Sequence, residues 1–157
     1  MPPLVSDIEI ARPPDDVFSY ATDPSRFAEW QDDVVSVHME GPLSVGSRFT
    51  TTRRIGRVEH RSTQEITELS HPMRFAARGV DGPLMADASI TVEPLAGGTR
   101  SRVTFTLDFR GRGMGKLLVP DVVRRLAQRG APGSYRNLKE RLENDDRRSS
   151  NRAATPR

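Results

Sequence analysis

Residues 5–30 read VSDIEIARPPDDVFSYATDPSRFAEW. The order is a strand over 5–10, a brake at Pro13 and Pro14, one or two helical turns, an Asp23-Pro24 turn, and then Trp30, the only tryptophan. Proline ends the strand and suits the first turn of a helix, where its missing N–H has no partner to lose. A short strand that runs straight into two small helices makes a hook, and a hook needs a long element to close around. Residues 113–144 offer one. Leu117, Leu118, Val122, Leu126, Leu138 and Leu142 recur at helical spacing, and Asp121 with Arg125 forms an i,i+4 pair. Pro132 removes a backbone donor, and Gly130 and Gly133 each cost about 1 kcal/mol relative to alanine. The spacing therefore predicts one long helix kinked at 130–133, or two helices end to end, with 135–142 packing best.

Between hook and helix the pattern turns to period two. Strands are expected over 34–40, 47–54, 57–68, 73–80, 84–93 and 99–109. Their apolar sets alternate: Val35, Val37 and Met39, then Phe75 and Ala77, then Ala86, Ala88, Ile90 and Val92, then Val103, Phe105, Leu107 and Phe109. Arg, Glu, Asp, Thr and Ser fill the opposite positions, as in an antiparallel sheet with one covered and one wet face. Turns test the register, because a one-residue slip reverses every side chain. An Asp81-Gly82 hairpin pairs Ala77 with Ala86 and Phe75 with Ala88. The 95–98 loop pairs Ile90 with Val103, and an Ile55-Gly56 turn pairs Phe49 with Ser62 and Thr51 with His60. All three bring inner sets together.

The 157 residues suit one domain, and a hydrophobic share of 35% points to a modest core or a partly unfilled interior. No stretch has the apolar length of a membrane span, and Met1-Pro2-Pro3 lacks the regions of a signal peptide. With no cysteine there is no disulfide and no thiol nucleophile, so a cytoplasmic location is the default. Four of the 24 basic residues lie in 147–157, which has no acid, and the rest of the chain carries 20 basic against 21 acidic residues. The expected division is a domain over 1–146 and a basic, disordered tail over 147–157. A nearly neutral body gives little support to nucleic-acid binding.

Strand, two short helices, about six more strands and a long closing helix is an α+β helix-grip order. The sequence resembles the START-like, Bet v 1-like (SRPBCC) superfamily, in its polyketide cyclase/dehydrase branch. The matching text is IARPPDDVFSYATDPSRFAEW at 10–30, VGSRF at 45–49, EITEL at 65–69, GGTR at 97–100 and NLKERLE at 137–143. The resemblance implies a curved antiparallel sheet of about seven strands wrapped on the C-terminal helix, with a cavity between them for lipids, polyketides or other hydrophobic molecules. Some members bind only, and others catalyse cyclisation and aromatisation.

Polar residues predicted to point inward carry the most information. The Ile66 phase directs Val58, His60, Ser62 and Gln64 inward, and the Phe49 phase does the same for Ser47, Thr51 and Arg53. A dry core rejects such a set, since each unpaired buried polar group costs roughly 1–3 kcal/mol. A ligand-lined cavity accepts it, as does an open, solvated end of the sheet. His60 is a weak candidate acid–base group without an evident orienting carboxylate, since Glu59 and Glu65 fall on the outer phase. Arg53 is a candidate fork for a carboxylate, enolate or phenolate. Trp30, Phe49, Phe75, Met85, Phe105 and Tyr135 are candidate aromatic and soft lining, and each is also ordinary core. Leu84 with Met85 suggests an entrance lid. GRGMG at 111–115 lacks the Lys-Ser/Thr of a phosphate loop and reads as a joint.

Three scattered histidines show no metal-ligand spacing, and no cofactor is expected. The expected function is binding of a small hydrophobic or amphipathic molecule by a monomer or homodimer. The alternatives are a polyketide cyclase/aromatase using pocket polar groups, and an interaction module helped by the Arg-rich tail.

Overall fold

The computed structural model describes residues 3–83, 85–110 and 119–153. The chain runs β1 (Leu4–Ile10), α1 (Pro14–Ala21), a 3-10 turn, α2 (Phe27–Trp30), β2 (Val34–Glu40), β3 (Arg48–Ile55), β4 (Val58–Ser70), β5 (Arg74–Asp81), β6 (Met85–Leu95), β7 (Arg100–Arg110) and α3 (Val119–Ala153). The strands form one antiparallel sheet in the order β1-β7-β6-β5-β4-β3-β2, so the first two strands in sequence are its two edges. Register shifts between Thr63 and Gln64 and between Ile66 and Glu68 interrupt the long β4. Bulges of this kind bend a strand and raise its twist, which helps the sheet curve around α3. This is the α+β helix grip.

The hook closes as its sequence implies. Pro14 occupies the first turn of α1 with Asp15 and Asp16 beside it, where acidic groups favour the positive end of the helix dipole. The Thr22 hydroxyl caps the other end by donating to the Phe18 carbonyl (2.7 Å). The grip itself is polar at its rim. The Arg12 guanidinium donates to the Leu142 carbonyl (2.7 Å), the Ala11 amide to Glu143 Oε1 (3.0 Å), and Lys139 Nζ to the Glu9 carbonyl (2.6 Å). Asn137 donates to the Trp30 carbonyl (3.3 Å) and to Asp32 (3.0 Å). Beneath this rim Leu138 and Leu142 are buried in one core with Ile10, Val17 and Phe18.

All three hairpins keep the expected faces and shift the expected pairs by two residues. Phe75 faces Ile90 and Ala77 faces Ala88. Ile90 faces Phe105, while Val92 takes Val103. Phe49 faces Gln64, Thr51 faces Ser62 and Arg53 faces His60. The β3–β4 turn is centred on Gly56 and Arg57 rather than Ile55 and Gly56, with φ of +65° at Gly56. That places glycine first of the two central residues, where a II′-type turn needs positive φ. The β5–β6 connection is wider than a two-residue turn, because Asp81 pairs back with Thr63 on β4.

Two other expectations change and one open alternative is decided. A register irregularity in β2 sits at Val35, so Val34 is buried and Val35 is 44% exposed. At 130–133 α3 is one continuous α-helix with Pro132 inside it, which decides between the two expected alternatives. It also continues to Ala153, so residues 147–153 are helical where disorder is expected. Leu84, residues 111–118 and the side chains of Asp121, Val122 and Leu126 lie outside the described residues.

Candidate functional site

The inner face of the sheet and the facing side of α3 leave a cavity of about 380 Å³ between them. Its size follows from small residues. Ala127, Gly130, Ala131 and Ser134 line it from α3, at the i, i+3, i+4, i+7 spacing of one helical face. Ala77, Ala86 and Ala88 line it from β5 and β6. Gly130 and Ala131, at the start of the segment that helix propensity disfavours, thus sit where larger side chains would enter the void. The helical spacing of these four residues was the available signal, and the sequence reading missed it by treating 130–133 only as a break.

Aromatic rings make one wall. Phe27 meets Trp30 and Phe49 edge to face at 5.9 Å each, and Trp30 leans on Phe105 at 6.0 Å. Tyr135 of α3 stacks on Phe105 of β7 at 3.9 Å with the rings 10° from parallel. Trp30, Phe49, Phe75 and Phe105 are all buried, and Tyr135 is partly so.

The second wall is the polar ladder. Thr51 and Arg53 of β3 and His60, Ser62 and Gln64 of β4 all line the cavity. Gln64 is held by donating to the Ala86 carbonyl (3.1 Å). Arg53 donates from one nitrogen to both oxygens of Asp33 (2.9 and 3.1 Å), so its charge is already matched within the protein. Arg54 is likewise paired with Glu59 (2.9 Å). No carboxylate among the described residues hydrogen-bonds His60, which lies across from Arg53. The exposed part of the lining includes Arg54 near the end of β3, Gly56 in the β3–β4 turn and Gly130 on α3.

Ten of the eleven expected lining residues therefore share one cavity, and Met85 does not. Period-two alternation gives the wall Ala86 and Ala88 and turns Met85 away from it. Val58 and Ser47, the ends of the inward pattern, are also outside. Val58 is 57% exposed at the hairpin tip, and the Ser47 hydroxyl donates to the Pro42 carbonyl (2.6 Å). Leu107 and Phe109 of β7, expected on the inner face of the sheet, add apolar surface to the cavity.

Two polar atoms of lining residues are closed off from the void and lack partners among the described residues. Trp30 Nε1 and Thr51 Oγ1 are buried with no hydrogen bond to any described residue. The Tyr135 hydroxyl is pushed above its ordinary pKa by burial, with the Arg53 charge opposing, and so stays protonated at neutral pH. Among the described residues no group of three or more His, Asp or Glu is placed to hold a metal ion.

A family model described as polyketide cyclase/dehydrase and lipid transport matches residues 1–143. The chain belongs to this family. Solved structures similar to this family member include a protein from Thermus thermophilus, at 18% identity over 90% of this chain and 97% of that one, with a TM-score of 0.75. A START superfamily protein from Mycobacterium smegmatis gives 15%, 92%, 99% and 0.74 for the same measures. The Zhui aromatase/cyclase from Streptomyces sp. R1128 gives 15%, 90%, 93% and 0.77. At such identities the likeness is one of fold. No protein of curated function matches the family member in sequence.

Proposed function

We propose that this protein binds a small hydrophobic or amphipathic molecule in the cavity between the sheet and α3. The observation that carries the reading is the cavity itself. Its volume of about 380 Å³ falls inside the roughly 300–1,000 Å³ of small-molecule sites, and its wall is mostly apolar. Native mass spectrometry of protein purified from its own host is the test. A retained small molecule, lost on denaturation, is the expected result, and the same spectrum separates monomer from homodimer. Protein that carries nothing and takes up no apolar dye would overturn the reading. The cytoplasmic location and the division into a 1–146 domain and a 147–157 tail belong to the same proposal. No helix among the described residues is long and apolar enough to cross a membrane.

A polyketide cyclase or aromatase is the second reading. It is favoured by Arg53, His60 and Tyr135 lining one cavity, where they supply a cation, an acid–base group and a proton donor. Incubation with a poly-β-ketone analogue tests it: aromatic product lost in His60→Ala supports the reading, and unchanged substrate rejects it.

A further inference from the structure

We infer that α3 consists of two mechanical units. Residues 134–143 are fastened to the hook and the sheet, while residues 119–129 form a lid over the cavity, hinged at Gly130–Gly133 and swinging outward to admit a ligand. The purpose of the lid rests on the cavity-binding reading above, but the hinge is tested without a ligand.

The fastening is one-sided. Tyr135 stacks on Phe105, and Ser134, Leu138 and Leu142 are buried. Asn137 donates to Asp32 and to the Trp30 carbonyl, Lys139 donates to the Glu9 carbonyl, and the Leu142 carbonyl and Glu143 accept from Arg12 and the Ala11 amide. Before the hinge, the described side chains of α3 are Arg125, Ala127, Gln128 and Arg129. Arg125, Gln128 and Arg129 are exposed and make no hydrogen bond, ion pair or ring contact with a described side chain. Ala127 lines the cavity but has only a methyl group to hold it there. Segments with few buried contacts and little anchoring are the ones that open at low free-energy cost.

The segment between the two units weakens the helix, and packing does not explain it. Pro132 cannot donate to the Gln128 carbonyl, and its ring crowds that carbonyl. Glycine is the least favourable helix residue after proline. Neither glycine is forced by crowding: an added Cβ meets nothing within 4 Å at Gly130, and only Asp32 Oδ2, at 4.0 Å, at Gly133. Neither has the positive φ that would require glycine. Pro132 and Gly133 do not line the cavity, so the void does not account for them either. What remains is bending, since proline and glycine are where helices kink and hinge. α3 runs unbroken through them here, which is the closed position of the lid.

Hinging at this point opens the cavity at its solvent end. Gly130 is the exposed part of the helical wall, and Arg54 and Gly56 border the opening from the sheet side. Outward movement of Ala127 and Gly130 widens that opening and leaves Tyr135 on Phe105.

The chain has no cysteine, so nitroxide labels go only where cysteines are introduced. Arg78 on the outer face of β5, Gln128 on the lid and Glu140 on the fastened part are all exposed. Pulsed EPR on the full, ligand-free chain compares Arg78→Cys/Gln128→Cys with Arg78→Cys/Glu140→Cys. The expected distance distribution is about twice as wide or more for the 78–128 pair, as for a segment that moves about a hinge. Adding Gly130→Ala, Pro132→Ala and Gly133→Ala should narrow it to the width of the 78–140 pair, and Pro132→Ala alone should give an intermediate width. In the same stiffened chain, association and dissociation of an apolar dye should both slow about tenfold, with its affinity little changed. Equal widths for the two pairs in the ligand-free protein overturn the hinge, whatever the protein binds. Unchanged dye kinetics in the stiffened chain overturn the lid and place the entrance elsewhere. A wide 78–128 distribution in protein that takes up no dye removes the binding reading, and the lid with it, but not the hinge.

Discussion

Tyr135 lies flat on Phe105, with ring centroids 3.9 Å apart, and so ties the cavity-facing side of α3 to the middle of β7. The contact sits directly beside the void and sets how closely the helix approaches the sheet. Tyr135→Ala should cost about 2–3 kcal/mol in urea unfolding. That is less than the ~3–5 kcal/mol of truncating a fully buried aromatic, because the ring is only part-buried. Tyr135→Phe keeps the stack and should cost under about 1 kcal/mol. Equal losses for the two variants would mean that the hydroxyl, not the stacking, holds the helix.

Thr51→Val should leave the ligand-free protein equally stable or more stable by about 1 kcal/mol. Its hydroxyl is buried without a partner, so an apolar isostere removes a desolvation penalty and breaks no hydrogen bond. Urea midpoints measured on ligand-stripped protein check this. A loss of more than about 1 kcal/mol would show that the hydroxyl has a partner after all.

Glycines in two settings should respond in opposite directions. At Gly130, inside α3, an added Cβ meets nothing within 4 Å, so Gly130→Ala should stabilise by up to about 1 kcal/mol. Gly82 has φ of +112°, and an added Cβ would stand 2.6 Å from the Arg61 carbonyl oxygen. Gly82→Ala should cost about 1–3 kcal/mol and loosen the β5–β6 connection. Thermal melts of the two variants distinguish these effects, and a stabilised Gly82→Ala would contradict the turn geometry.

Filling the void should separate folding from binding. Ala131 lines the cavity from α3, and Ala131→Phe places a ring in space that is otherwise empty. Apolar-dye binding should fall at least tenfold, with Tm unchanged or raised. Retained dye affinity would locate the dye elsewhere on the protein.

Acid should weaken the grip through Glu143. Burial pushes its carboxyl up, but hydrogen bonds from Lys139 and the Ala11 amide and the charges of Lys139 and Arg100 outweigh this. They leave it below the ordinary 4.5. A carboxyl lowered in the folded state adds stability that is fully present above its unfolded value and is lost as pH falls through its folded value. The wild type should therefore lose more stability than Glu143→Gln between pH 6 and pH 3 in urea titrations. Parallel curves would remove Glu143 from the grip.

How much of this was legible in the sequence differs by element. The hook at 5–30 and the helix end at 137–143 were readable, because proline placement, capping residues and apolar spacing are local signals. Sheet faces were readable for the same reason, except at Val35, where the irregularity in β2 turns the side chain outward; a two-residue slide of Ala77 from Ala86 to Ala88 changes no face. The pairs themselves were not readable. The turn at Gly56 and Arg57 was settled by backbone geometry and by the neighbouring strands. The inward ladder from Thr51 to Gln64 was found by phase alone, while Met85 was misplaced because softness and size are weaker evidence than alternation.

The sequence by itself determined the α+β class, the two faces of the sheet and the family, since these follow from periodicity and motif text along the chain. Only the tertiary structure decided that small residues on α3 and β6 face each other across an unfilled gap. It alone matched Arg53 to Asp33, twenty residues earlier in the chain, and left Trp30 Nε1 and Thr51 Oγ1 without partners. Pairing and emptiness depend on distances between elements that are remote in sequence, and no local pattern encodes those distances.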